Sequence, residues 1–189
     1  MPIEVDQEDR LARIADATIQ VARERGVRAV TIRAVAQELG GSTAVITNYL
    51  PTRSALIANA LRHAERHWSH ETGTLLAGRT GTERLLALAE WMCTTERDDE
   101  VMRRLLAEIV SEGGESDATA LAAELARDHR AALGPLLADA GVTDPAAADL
   151  LHLLFRGYWL STLEDPADWP PARGTNAARA AVRLLTGGA

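Results

Sequence analysis

The 189-residue sequence contains no lysine; all 20 of its basic residues are arginine, which reads as base composition of the gene rather than as function. It has a single cysteine, Cys93, so an internal disulfide is excluded and a disulfide-stapled secreted scaffold with it. Aromatic residues make up only 4% of the chain, and alanine and leucine supply much of its 47% hydrophobic fraction. Few aromatics and few β-branched runs favour close-packed helices over sheet. No apolar run approaches the roughly 20 residues that span a bilayer. The stretch 150–155 is interrupted by His152 and stopped by Arg156. The opening Met1-Pro2-Ile3-Glu4-Val5-Asp6 is acidic and lacks the basic and apolar regions of a secretion signal. A soluble, cytoplasmic protein is expected.

What is present is unevenly distributed. The net charge is −7, an unfavourable total for a nucleic-acid binder. Between Arg10 and Arg66, however, nine arginines face four acids, a net of about +5 that leaves about −12 for the remainder. A basic segment on an acidic body fits a chain that meets DNA at one end only, although a solvated helix surface would give the same count.

Helix signals run along the whole chain. In 8–25, Leu11, Ile14, Ala15, Thr18, Ile19 and Ala22 recur at three- and four-residue spacing, and Gly26 follows where a left-handed cap is wanted. Thr31 can cap a helix over 32–39, Gly40-Gly41 breaks it, and Ser42 can cap a third over 43–49. Pro51 ends that one, and Thr52 can cap a long fourth over 53–72. Further helices are expected over 82–95, 98–112, 117–140, 145–163 and 172–185, with a kink or break at Gly134-Pro135. The predicted fold class is therefore all-α, with about nine helices. A three-helix helix-turn-helix domain (1–52) precedes a C-terminal helical bundle (53–189) assigned to ligand sensing and dimerisation.

A helix following a tight glycine turn can enter the major groove, where each base pair shows a distinct donor and acceptor pattern. Asn48 suits bidentate pairing with adenine, and Thr43 and Thr47 suit base acceptors or the thymine methyl. Arg33, Arg53 and the Tyr49 hydroxyl suit phosphate, which fixes register without reading sequence.

Residues 10–61 resemble the DNA-binding domain of the TetR family of regulators. The likeness runs in order through Ile14–Gly26, Thr31–Gly40 and Ser42–Leu56, and the Ile46-Thr47-Asn48-Tyr49 string is similar to the BetI/AcrR-like branch. The resemblance implies base contacts from Thr43, Ala44, Thr47 and Asn48, a base or phosphate contact from Arg33, and phosphate contacts from Tyr49 and Arg53. It also implies that Thr31 and Ser42 cap helices whose N-termini can face phosphate. Gly41 stands where valine is usual, Thr47 where tyrosine is frequent, Leu50 where phenylalanine is frequent and Ser54 where an acid is, so the operator is not legible. The implied function is a repressor that binds operator DNA as a homodimer and is released by a small-molecule effector. The alternative is a helical small-molecule-binding protein or enzyme with no DNA-binding role.

The resemblance further implies that the last two long helices form a four-helix bundle across a dyad. Leu151, Tyr158, Ala178, Ala181, Val182 and Leu185 are the expected interface residues, although a stripe that packs only on its own subunit would show the same spacing. The family's effector site lies among the middle helices, and Trp68, Trp91, Met102, His152, Phe155, Arg156 and Trp159 are the candidates here; ordinary core packing would place large side chains in the same way. His152 and Arg156, one turn apart, could meet a carboxylate, a phenol or a carbonyl oxygen. His63, His67 and His70 share a helix face, and two such histidines can hold a metal, but no second ligand set elsewhere matches them. No nucleophile motif, phosphate-cradling glycine loop or paired carboxylates appear. No metal, no cofactor and no enzymatic activity are expected.

Overall fold

The computed structural model describes residues 3–94, 97–112, 114 and 116–187. Among these, nine α-helices and a 3-10 turn occur, with no strand. The helices are α1 (Ile3–Arg25), α2 (Ile32–Glu38), α3 (Thr43–Thr47), α4 (Arg53–Leu76), α5 (Gly81–Met92), α6 (Arg97–Glu112), α7 (Asp117–Asp139), α8 (Ala147–Glu164) and α9 (Pro171–Leu185). The 3-10 turn, Val27–Ala29, has no counterpart in the sequence reading. Helix α1 begins five residues earlier than its periodicity predicts and α4 ends four residues later; the expected end of the fifth helix at Thr95 lies outside the described residues.

The chain folds as two units, the first comprising Met1–Trp68 and Arg97–Ala123, the second Ser69–Glu96 and Glu124–Ala189. Helices α4 and α7 contribute to both. The 52/53 boundary read from sequence falls inside the first unit, because α4 has a buried face from Ala55 to Ala64 there.

In the first unit α1 packs on α2, on the 3-10 turn and on α6, and α2 packs on α3. The predicted stripe of α1 is inward: Ile14, Ala15, Thr18 and Ala22 are buried, and Leu11 and Ile19 partly so. The buried Thr18 hydroxyl donates to the Ile14 carbonyl at 2.7 Å, so it leaves no unmet donor. Two of the expected caps form through side chains: Thr31 Oγ1 accepts from Ala34 N at 3.1 Å and Thr52 Oγ1 from Ala55 N at 3.0 Å. Ser42 holds the cap position of α3 without a side-chain cap bond.

In the second unit α5, α8 and α9 pack on one another around Leu85, Ala89, Leu151, Phe155, Tyr158, Ala178 and Val182, joined by Leu133, Leu136 and Leu137 of α7. Helix α7 continues through Pro135 without a break. Ala131 and Pro135 are exposed, so the carbonyl that loses its helical donor can turn to water while the leucines on the opposite face stay buried. No helix is long and apolar enough to cross a membrane among the described residues.

Candidate nucleic-acid interface and ligand site

The turn before α3 is made by one glycine. Gly40 has φ +65°, its amide donates to the Gln37 carbonyl at 3.0 Å, and the Gly41 amide donates to the Ala36 carbonyl at 2.9 Å. This pair of bonds is a Schellman ending, which requires a left-handed residue at Gly40. Gly41 is not left-handed and a Cβ there would meet nothing within 4 Å. The place where valine is usual in the resembling family is therefore open to a side chain.

Helix α3 is held by a single fully buried side chain, Ile46, with Val45 and Leu50 partly buried beside it. Its other face is open: Ser42, Thr43, Ala44, Thr47, Asn48 and Tyr49 are all exposed, and so is Arg33 at the start of α2. Tyr49 is 39% exposed, a large aromatic left at the surface beside the threonines and the amide. These seven of the eight residues expected at DNA form one accessible set on α2, α3 and the residues flanking α3.

Arg53 is placed differently. Its Nε donates to the Val30 carbonyl at 3.0 Å and one Nη to the Val27 carbonyl at 3.1 Å, while that Nη lies 3.4 Å from Glu108 Oε1. The guanidinium thus closes the carbonyl end of the 3-10 turn and ties α4 to α6. Next to it, Ser54 Oγ accepts from the Ala118 amide at 3.1 Å, pinning the start of α7 to the start of α4. Sequence reading missed Glu108 and Ser54 as partners, because nothing local marks an ion pair between positions 55 residues apart.

The effector candidates fall in both units. Trp68 and Met102 belong to the first, where Met102 is buried. Trp91, His152, Phe155, Arg156 and Trp159 belong to the second, where Phe155 is part of the core. Trp159 Nε1 donates to the Met92 carbonyl at 3.2 Å, and the Arg156 guanidinium lies 5.2 Å from the Trp159 ring centre. Burial lowers the pKa of Arg156. Desolvation lowers that of His152, with Arg156, His129 and Arg130 adding repulsion and Asp149 opposing it. On α8 the Arg156 guanidinium thus stands over the Trp159 ring, with His152 one turn away held toward its neutral form.

Of the expected interface residues, four turn inward and two are partly exposed. Leu151, Tyr158, Ala178 and Val182 lie in the core of their own unit, and Ala181 and Leu185 pack against it. The small residues of α9 serve close packing inside the chain: a Cβ on Gly174 would collide with the Tyr158 ring, 2.6 Å from its Cζ and 2.7 Å from the Cys93 carbonyl oxygen. The same two helices expose other apolar side chains, Leu150 (54%), Leu153 (66%), Leu160 (55%) and Leu184 (83%).

Of the histidine trio, His63 Nε2 lies 3.2 Å from Asp16 Oδ1. No group of three metal-ligating side chains forms among the described residues. Burial pushes the Cys93 thiol up to about 12, far from the reactive thiolate range.

No protein-family model matches the chain. In sequence it is 37% identical over 62 residues to the HTH-type transcriptional regulator PksA of Bacillus subtilis, covering 33% of this chain and 30% of that protein. It is 36% identical over 80 residues to the HTH-type transcriptional repressor KstR of Mycolicibacterium smegmatis, covering 42% of this chain and 39% of that protein. The similarity thus spans well under half the length of either relative. In structure it superposes on a transcriptional regulator from Rhodococcus sp. Rha1 with a TM-score of 0.80, at 21% identity, over 94% of this chain and 96% of that one. A Rhodococcus sp. protein described as of the TetR family gives 0.71 at 21% identity, over 94% and 99% of the two chains. The multidrug binding protein EbrR complexed with ethidium gives 0.69 at 23% identity, over 96% and 99%. The chain therefore has the all-α fold of TetR-family transcriptional regulators, and it is similar in sequence to helix-turn-helix transcriptional regulators.

Proposed function

We propose that this chain is a TetR-type transcriptional repressor of the BetI/AcrR-like branch, which binds a two-fold operator as a homodimer and is released by a small-molecule effector. The observation that carries the reading is α3: one buried anchor, Ile46, and an otherwise open polar face following a left-handed glycine turn. A five-residue helix with so little of itself in the core has its exposed residues free for another surface. Thr43, Ala44, Thr47 and Asn48 read base edges; Arg33, Ser42 and Tyr49 hold phosphate. Arg53 acts from within, holding the 3-10 turn and α4 in register with α6.

Residues 1–52 are the DNA-binding part and 53–189 the sensing and dimerising part. A single short helix reads few base pairs, so two copies must act together. The dimer forms through α8 and α9, where the exposed Leu150, Leu153, Leu160 and Leu184 join the partly exposed Ala181 and Leu185, while Leu151, Tyr158, Ala178 and Val182 support that face from the core. The effector meets the second unit at Trp91, His152, Arg156 and Trp159. The bonds from Arg53 and Ser54 to α6 and α7 give a shift of those helices a direct grip on the start of α4. An effector that binds the DNA-incompetent arrangement more tightly would then separate the recognition helices. The protein works in the cytoplasm, without cofactor and without enzymatic activity.

Fluorescence anisotropy on a labelled random-sequence duplex tests the DNA-binding part. Binding should weaken steeply with salt, and Arg33→Ala should reduce the log–log slope by about 1. Absence of duplex binding at low ionic strength would favour the alternative, a helical binding protein or enzyme with no role at DNA.

A further inference from the structure

The end of α4 and the start of α5 enclose a feature that the repressor reading does not use. It is a wide, largely solvent-open depression of about 520 Å³, lined by residues of the second unit. That volume is in the range of about 300–1,000 Å³ typical of small-molecule sites. Its wall carries two guanidinium side chains, Arg79 and Arg84, and three hydroxyls, Ser69, Thr72 and Thr80. Among the described residues that line it, Leu76 is the large apolar side chain and none is a carboxylate.

The two arginines are poorly neutralised by the protein. Among the described residues Arg79 Nε pairs with Glu83 Oε1, at 3.6 Å and with the Glu83 side chain 75% exposed, an ion pair of little strength in water. Arg84 Nε is buried and has no hydrogen-bond partner among the described residues. A buried donor without an acceptor is costly, and an anion oxygen in the cavity would supply one. The amide at the start of α5 is already taken, since Gly81 N donates to Asp139 Oδ2 at 2.7 Å. The attraction for an anion therefore comes from the arginine pair, not from the helix end.

We propose that this cavity binds a small organic phosphate with a polar body. A phosphate monoester carries about −1.5 to −2 charge at neutral pH, which matches two guanidinium groups, whereas a carboxylate matches one. Its three terminal oxygens can accept from a planar arginine fork and from hydroxyls together. The wall of hydroxyls and glycine backbone suits a hydroxylated body and offers no aromatic surface to a flat apolar one. The site is separate from the Trp91/Trp159 region, and it stands whether or not the chain binds DNA.

Isothermal titration of the full chain in phosphate-free buffer tests it, with glycerol 3-phosphate, inorganic phosphate, glycerol and acetate as probes. Saturable one-to-one binding of glycerol 3-phosphate is expected, with inorganic phosphate weaker and glycerol and acetate silent. Arg84→Gln and Arg79→Gln should each weaken it at least tenfold, and Arg183→Gln, at an exposed arginine of α9, should leave it unchanged. If Arg84→Gln fails to fold, Arg79→Gln carries the same criterion. No saturable glycerol 3-phosphate binding, an unchanged affinity in the folded arginine variants, or equal binding of acetate would overturn the proposal.

Discussion

Two adjacent glycines should respond to the same substitution with opposite sign. At Gly40, φ +65° is a conformation that costs an L-residue roughly 1–2 kcal/mol. Alanine also restricts the unfolded chain, which returns about 0.4–1 kcal/mol. Gly40→Ala should therefore destabilise the turn by about 1 kcal/mol. Gly41 has no positive φ, so Gly41→Ala keeps only the second effect and should stabilise by about 0.5 kcal/mol. Neither new Cβ meets an atom within 4 Å, so collision does not confuse the comparison. The two variants should differ by about 1.5 kcal/mol, roughly tenfold in an opening equilibrium. Because the chain packs as two units, global melting is a poor gauge. Native-state hydrogen exchange at the Leu39 amide, which donates to the Val35 carbonyl at 3.0 Å, reports on the end of α2 directly. Equal loss of protection in both variants, or a greater loss in Gly41→Ala, would refute the assignment of the turn to Gly40.

Other consequences are equally direct. Gly174→Ala drives a methyl into the Tyr158 ring and the Cys93 carbonyl; overpacking of this kind costs about 1–3 kcal/mol, which native-state hydrogen exchange at the amides of α9 should read as a loss of protection of that size, and unchanged protection would refute the tight approach. Leu150→Glu with Leu153→Glu should give a folded monomer by sedimentation with unchanged helicity, and a persistent dimer would move the interface elsewhere. Desolvation and neighbouring cations hold His152 below its ordinary value of 6.5, so the folded state resists its protonation. Stability should be unaffected by this group above that value and should decline as pH falls below it. His152→Gln should flatten that decline, and an unaltered pH profile would show that the histidine is not under this strain.

The helix-turn-helix was legible because its signals are local. Thr31 and Thr52 act on amides three residues away, Gly26 and Gly40 on their own backbone, and the α1 stripe on one helix face. What escaped was the identity of the partner. Periodicity told that Ala178, Ala181 and Val182 share a face but left open whether it packs within the chain; the fold buries Ala178 and Val182 there, where Gly174 admits the Tyr158 ring. An arginine at the start of α4 suits phosphate and carbonyl oxygens equally well, and only the fold reveals that Val27 and Val30 supply the acceptors. Pro135 suggested a break, yet the leucines around it are buried and its missing bond falls on the solvent side. The Arg79/Arg84 cavity left no trace in sequence, since its residues are scattered over the end of one helix, a turn and the start of the next.

Selection of bound duplexes from a random-sequence pool tests the role of α3 most directly. The wild-type chain should enrich an inverted repeat, with half-sites about one helical turn apart, and Asn48→Ala should lose about 1–3 kcal/mol of discrimination at one position in each half. A pool that remains unenriched, or a consensus that Asn48→Ala leaves intact, would contradict the assignment of α3 as the reading helix.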